Sequence, residues 1–452
     1  MNFFRSAFSK LFSIKLSIFL FIILSVSMAV GTFVENDFGT ETALSLVYKS
    51  RWFEVLWLLL ILNLTGGIFL YRLWREPSVL LIHLSFLLIF SGAVLTRYSG
   101  YEGTVHLREG EEKSYMISYD PYISFVIKKE NQSIKYEERF YVSSAGGNFF
   151  SKRFNIGSST LSIQLVDFLP VADIDLVERS DGAPVALLKI KERGKDFKKY
   201  PFKDGSSLKI GRVSLFFNKK PSVDEPYIHI YVKDNSFFIG SNYPFLVFDP
   251  QTAKKDKVKG YMRLEKGKLY AIGGLVISVE KILLSGDLHI KPVFKPVRGE
   301  NDLSSLIFKV RYEGEEKFLY LLGRGISYRG IPDRINIKDV EIKGLWGSKE
   351  IKLPFSLYLE DFVMKRYPGS DKVSSYESHV ILRDGNTEIP YVIYMNNPLK
   401  YRGYRIFQTS YDNDEKGSVL SVNYDPGLIP TYTGYAVLFL GLFINLLRRV
   451  KN

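Results

Sequence analysis

Five histidines, His83, His106, His229, His289 and His379, are the side chains here best suited to chemistry at neutral pH. There is no cysteine, which removes disulfides, thiolate metal sites, CxxC redox pairs and cysteine nucleophiles together. Only His83 lies inside a long apolar run. It follows Pro77 by about six residues, so at 1.5 Å per residue it sits roughly 9 Å along a helix that starts there. An ionisable side chain at that depth in lipid is costly and marks a functional position by default. Neutral imidazole is a natural axial ligand to haem iron, and Leu80, Phe86 and Leu87 would give the porphyrin edge an apolar wall. The alternatives are a proton relay or a structural histidine bonded to nearby backbone, to Asn63 or to Thr65 of the preceding apolar block. One intramembrane histidine fills one axial position, so a haem held by two histidines would take the other from another chain.

The remaining histidines read as strand residues on a polar face, His106 just beyond the third apolar block and His229 between Ile228 and Ile230. No His-x-x-Glu-His, Gly-x-Ser-x-Gly or Gly-x-x-x-x-Gly-Lys-Ser/Thr pattern occurs, so metalloprotease, serine-hydrolase and nucleotide-driven chemistries lack their residues. Adjacent carboxylates such as Glu360 and Asp361 would point to opposite faces of a strand and make a poor acid–base pair.

The elements that position His83 are bilayer-length helices. Residues 16–34, 55–71 and 79–95 are apolar enough to span, and a fourth block closes the chain from Tyr432 to Leu447. Arg5, Lys10 and Lys15 precede the first block, Arg72 and Arg75 join the second to the third, and Arg448, Arg449 and Lys451 follow the fourth. All three clusters fall on one side, which by the excess of cations in short cytoplasmic loops puts both termini in the cytoplasm. Ser27-Met28-Ala29 also suits a signal peptidase, and N-terminal sequencing of the mature protein separates cleavage from a retained first span. The small residues Gly66, Gly67, Ser91 and Gly92 would let helices approach closely.

Between residues 97 and 430 apolar residues recur with a period near two, as in Tyr122-Ile-Ser-Phe-Val-Ile127 and Tyr227-Ile-His-Ile-Tyr-Val232, with turns such as Asp204-Gly205 and Asp384-Gly385 between them. The pattern predicts a large all-β, sandwich-like extracytoplasmic domain, with possible internal seams at Lys191–Gly205 and Gly323–Gly347. The fold class is therefore a membrane protein with four transmembrane α-helices, three N-terminal and one C-terminal, around that domain: 1–96, 97–430 and 431–452. Of 452 residues 46% are hydrophobic and the net charge is +13, but the basic residues form no dense stripe with stacking aromatics, so no nucleic acid is expected as a partner.

Three blocks resemble one family. They are Leu80-Leu-Ile-His-Leu-Ser-Phe-Leu-Leu with Gly100-Tyr-Glu-Gly-Thr-Val-His-Leu-Arg-Glu-Gly110; Glu360-Asp-Phe, Tyr367-Pro-Gly and Tyr376-Glu-Ser; and Met395-Asn-Asn-Pro-Leu-Lys-Tyr-Arg-Gly-Tyr-Arg-Ile-Phe-Gln-Thr-Ser-Tyr411 with Asp425-Pro-Gly427. Together with the three-plus-one spans they resemble the ResB (CcsB) family, the System II haem-lyase subunit of cytochrome c biogenesis. The resemblance implies that His83 is an axial ligand to haem b in transit, and that a ResC (CcsA) partner supplies the opposing ligand and the tryptophan-rich haem-handling segment. It also implies apocytochrome c as the acceptor of the haem and a bacterial cytoplasmic membrane as the location. The chain would be an accessory rather than a catalytic subunit, with Arg72 and Arg75 as partners for the haem propionates. The chain departs from the pattern at Gly31-Thr-Phe-Val-Glu35, which lacks a Pro-Gln often found there, and over 191–347, which aligns with nothing in the family residue by residue. Tryptophans 52, 57, 74 and 346 form no WxWD-type cluster. The competing readings are an envelope scaffold or sensor whose β domain binds a peptide or glycan, and, last, a cytochrome b-like electron carrier, which needs paired intramembrane histidines.

Overall fold

The computed structural model describes residues 10–130, 132–192, 196–211, 213–221, 226–293, 302–412 and 414–451. Among them four helices are long and apolar enough to cross a membrane: α1 (Ile14–Phe38), α2 (Arg51–Leu70), α3 (Pro77–Ser99) and α4 (Leu428–Lys451). They outrun the apolar blocks because helical hydrogen bonding continues past the last apolar residue until a cap or breaker intervenes. Ser13 starts α1, its Oγ accepting from Leu16 N at 3.3 Å, and Gly39, at φ +83°, ends it. Proline, which has no N–H to leave unsatisfied, opens α3 at Pro77. Between α1 and α2 the chain makes two short helical turns, 40–43 and 44–48, that the sequence pattern did not announce.

α1 and α2 are joined by apolar packing of Leu20, Leu24, Phe53, Leu60 and Leu64, and by Asn63, whose Nδ2 donates to Leu11 O at 2.7 Å and whose Oδ1 accepts from Ser17 at 2.5 Å. Phe90 of α3 meets Trp57 of α2 edge-on, with ring centroids 5.2 Å apart. α3 and α4 approach more closely still. A Cβ added at Gly92 would lie 2.1 Å from Thr431 Oγ1 and 2.6 Å from Gly427 O, and one at Gly434 would lie 3.0 Å from Ser85 O. Small residues bring the two backbones together where lipid offers no hydrophobic drive to do so.

The chain divides into two compact units. The first holds 1–121, 140–147 and 348–452; the second holds 122–139 and 148–347. In the first unit α3 leads through Gly100 into strand Tyr101–Arg108, and strand Gly417–Tyr424 leads through Asp425-Pro-Gly427 into α4. These two strands pair antiparallel without a break from Tyr101↔Tyr424 to Arg108↔Gly417. Around them the strand order is 387–394, 373–384, 348–366, 112–121, 101–108, 417–424, 404–411, 399–401. The last members return against the first: Asn397 Nδ2 donates to Val392 O at 2.9 Å and Tyr391 OH donates to Asn397 Oδ1 at 2.9 Å. The sheet thus rolls around one interior, filled by Val105, Leu107, Met116, Phe355, Leu357, Leu382, Ile406 and Leu420. Residues 140–147 tie the helical turns to this unit, Ser144 N donating to Thr42 Oγ1 at 3.1 Å.

The second unit is built on the 34-residue strand Ser159–Glu192, which pairs with Leu275–Pro292 and with Leu303–Tyr312 in a twelve-stranded sheet. One core gathers Leu188, Phe217, Ile228, Ile239, Tyr270 and Ile277. Lys191–Gly205 is not a seam. Strand Lys198–Lys203 folds back on Ser159–Glu192, from Ile190↔Lys198 to Val185↔Lys203, so both described flanks of the stretch lie in one sheet of the second unit; residues 193–195 lie outside the described ones. The turn-rich run to Gly347 ends where the chain passes from the second unit to the first.

Substituting Gly92 by valine is expected to force α3 and α4 apart and cost about 1–3 kcal/mol. Thermal unfolding in detergent reads this as a lowered Tm. Gly67→Ala, which would meet only Tyr71 at 3.9 Å, is the control that should leave the Tm unmoved.

Candidate functional site

His83 sits one turn and a half into α3. Its Nδ1 lies 2.9 Å from Val79 O, one turn back. A carbonyl only accepts, so Nδ1 carries the proton and the lone pair is on Nε2. Nε2 has no hydrogen-bond partner among the described residues. Neither side chain of α2 that could have held the ring does so: Asn63 is committed to α1, and Thr65 Oγ1 donates to Ile61 O at 2.8 Å. The imidazole is half-buried on the flank of the stripe that carries Phe86 and Phe90, whose rings stack with centroids 6.5 Å apart. Leu80 and Leu87 are likewise half-buried beside it.

Arg72 and Arg75 occupy the turn between α2 and α3, both exposed, Arg72 with left-handed backbone at φ +52°. Among the described residues neither guanidinium has a carboxylate partner; Glu76, next to them, pairs instead with Arg448 of α4 at 2.8 Å. The turn therefore presents two uncommitted cations at the helix end nearer His83.

At the opposite end of α3 the charges are locked. Arg97 binds Glu54 of α2 through Nε at 2.8 Å and donates from Nη1 to Tyr48 O at 2.7 Å. Thr96 Oγ1 donates to Asp425 Oδ1 at 2.5 Å, and the same oxygen accepts from Gly427 N at 3.1 Å. This ties the start of α4 to the end of α3. Directly beyond, Tyr101, Tyr404 and Tyr424 close one mouth of the rolled sheet, with centroids 4.8–6.2 Å apart and the Tyr101 and Tyr404 hydroxyls 2.5 Å apart. Burial pushes the Tyr404 hydroxyl well above its ordinary value.

The other mouth is where the remaining motif residues converge. Phe362 stacks on Tyr411 at 5.8 Å, and Tyr376 lies 5.2 Å from Tyr411. Beneath them is a buried polar layer in which Ser378 Oγ and Gln408 Nε2 both meet Ser418 Oγ, at 2.8 and 3.0 Å. Outside, His106 Nε2 is 2.9 Å from Asp412 Oδ1, and Arg108 bridges Asp412 at 2.7 Å and Asp414 at 2.6 Å. The side-chain bond and charge of Arg108 hold the Asp414 carboxyl below the ordinary aspartate range. Glu109 Oε1 accepts from Phe362 N at 3.3 Å. Read alone, His106 was a plain surface histidine. Its partner is 306 residues away, and only the register of strands 101–108 and 417–424 brings them together.

The other histidines stay apart. His229 faces Tyr261 OH at 3.1 Å, and burial lowers its pKa; His289 is exposed opposite Asp175; His379 is half-buried opposite Asp361. No group of three or more metal-ligating side chains occurs among the described residues. Glu360 and Asp361 are both exposed, flanking a bulge.

Arg108→Ala is expected to loosen the hairpin that carries Asp412 and Asp414. Hydrogen exchange of 411–417 should quicken several-fold, with Lys400→Ala as the unaffected control. Because Asp414 is held low, the protection it gives is complete above the ordinary aspartate range and is lost as pH falls through its lowered value.

Residues 338–419 match the model of the ResB-like family. They supply the walls of the rolled sheet that carry Phe362, Tyr376, Tyr411 and Asp412. Over 430 residues, 95% of its length, the chain is 32% identical to Protein NrfI of Wolinella succinogenes, and the match includes the helical part as well as the β region. It covers 34% of that protein, so the chain spans about a third of the length of the curated relative it matches. By these two matches, residues 338–419 carry a ResB-like domain and nearly the whole chain is similar to Protein NrfI.

Proposed function

We propose that the chain works in cytochrome c biogenesis as a haem-binding, non-catalytic subunit of a System II synthetase in the bacterial cytoplasmic membrane. His83 would hold haem b through its imidazole, and a ResC (CcsA)-type partner would supply the remaining ligand and receive apocytochrome c. The ResB-like domain and the similarity to NrfI support the broad role. The observation that carries the finer reading is the His83 ring, tied through Nδ1–H to Val79 O with Nε2 unengaged.

The residues present fit the group. A ligand imidazole needs its other nitrogen held by a hydrogen bond that fixes the tautomer and ring direction, and the carbonyl one turn back does this without drawing on another helix. Leu80, Phe86 and Leu87 furnish an apolar flank that keeps water from the ring. Arg72 and Arg75, without a carboxylate partner among the described residues, lie at the same end of α3 and would hold carboxylates such as propionates. When bound, haem supplies the iron that His83 coordinates and the vinyl groups that apocytochrome thiols take up. On this reading the first unit's rolled sheet is a docking element: its motif residues are engaged in packing and ion pairs that fix shape, with no nucleophile–base pair among them.

The test is co-purification with the membrane partner and measurement of the Soret band. His83→Gly should remove most of it, and added imidazole should partly restore it. Unchanged haem content in the variant would favour the scaffold reading. Arg72→Ala with Arg75→Ala should lower haem content without altering the position of the band.

A further inference from the structure

The second unit contains a pocket that the haem reading does not use. It has a volume of about 100 Å³ and lies at the turn between strands Lys198–Lys203 and Ser207–Ile210, against strand Asp333–Ile337. Leu288, Leu322 and Ile331 contribute apolar wall; Lys203, Lys219, Arg334 and Lys343 contribute cations; Asp204, Asp333 and Glu341 contribute carboxylates.

The carboxylates are already committed. Asp333, 7% exposed, takes Lys203 at 2.8 Å and the amides of Tyr320 and Arg334 at 2.9 and 2.8 Å. Glu341 takes Arg334 at 3.2 Å, and Asp204 Oδ1 accepts from Asn218 Nδ2 at 2.8 Å. Arg334 also donates to Asp204 O at 2.8 Å, passing beside Gly205, whose φ is +69° and where a Cβ would lie 2.4 Å from the guanidinium. Three donors are left over. Lys219 and Lys343 have no ion-pair partner among the described residues, and the enclosed Ser206 Oγ has no hydrogen-bond partner.

Lys343 retains solvent contact, yet it is under electrostatic stress. Crowding by surrounding protein, then repulsion from Lys219 and, more weakly, from Arg334 and Lys128, lowers its pKa, with Glu341 opposing only in part. An enclosed hydroxyl without a partner and two neighbouring cations without an ion-pair partner among the described residues describe a site short of one small anion.

We propose that this pocket binds a compact oxyanion, with Lys219 Nζ, Lys343 Nζ and Ser206 Oγ as its donors. The shared chemistry is a small group with two or more oxygens, either a free phosphate or a carboxylate. Nothing in this assignment depends on His83 or on haem, so its failure would leave the proposed function standing.

The experiment is calorimetric titration of the full-length protein in detergent with inorganic phosphate, and separately with acetate, against chloride at matched ionic strength. Saturable binding that weakens about tenfold in Lys343→Gln and similarly in Lys219→Gln supports the site. Both side chains are exposed, and circular dichroism confirms that the variants fold. Tighter binding of phosphate assigns the pocket to phosphate, and equal or tighter binding of acetate assigns it to carboxylates. Heats no different from chloride, or binding that survives in both variants, would overturn the proposal.

Discussion

One hydrogen bond sets the terms for the membrane part of this protein: Nδ1–H of His83 to the carbonyl of Val79. In lipid every polar group must find its partner within protein, and an imidazole has two nitrogens to satisfy. The helix satisfies one from its own backbone. Asn63, the nearest polar residue of α2 that sequence suggested, is used up in joining α1 to α2. Among the described residues Nε2 thus remains a lone pair of fixed direction, one turn and a half into α3, and the rest of the architecture determines how firmly it is held.

Firmness comes from continuity. α3 and α4 touch through glycines, are latched by Thr96 and Asp425, and pass without a flexible linker into two fully registered strands. From His83 to Ser99 the helix rises roughly 24 Å, and the following strand adds about 26 Å. A single pair of elements therefore runs from the imidazole to Arg108 and the acidic hairpin. Both mouths of the rolled sheet are closed by aromatic trios, and the motif residues of the second and third blocks lie mainly at these mouths rather than in an open cleft. Their roles in the structure are packing, capping and pairing.

The four spans and the all-β character were legible because each rests on local pattern: apolar length for the helices, period-two alternation and Asp-Gly turns for the strands. The partner of His83 was legible only in part. Backbone was one of the options, but Asn63 and Thr65 could not be dismissed without knowing that each had a nearer acceptor or donor. Lys191–Gly205 misled because a charged, glycine-containing stretch with both described flanks in one sheet has the same composition as a linker. The meeting of His106 with Asp412, and of Phe362 with Tyr376 and Tyr411, could not be read at all, since it depends on strand order and on bulges that shift side chains between faces. The division into two units was equally hidden, because the chain crosses between them inside the long strands Glu112–Lys129 and Val340–Arg366.

The most direct test of the proposed haem ligation is cryo-electron microscopy of the chain together with a ResC (CcsA)-type membrane protein and haem. Ligation by His83 puts its Nε2 within bonding distance of the iron, with Nδ1 still on Val79 O and the other protein completing the coordination. An iron ligated wholly by other residues, with the His83 ring turned to lipid, would contradict it.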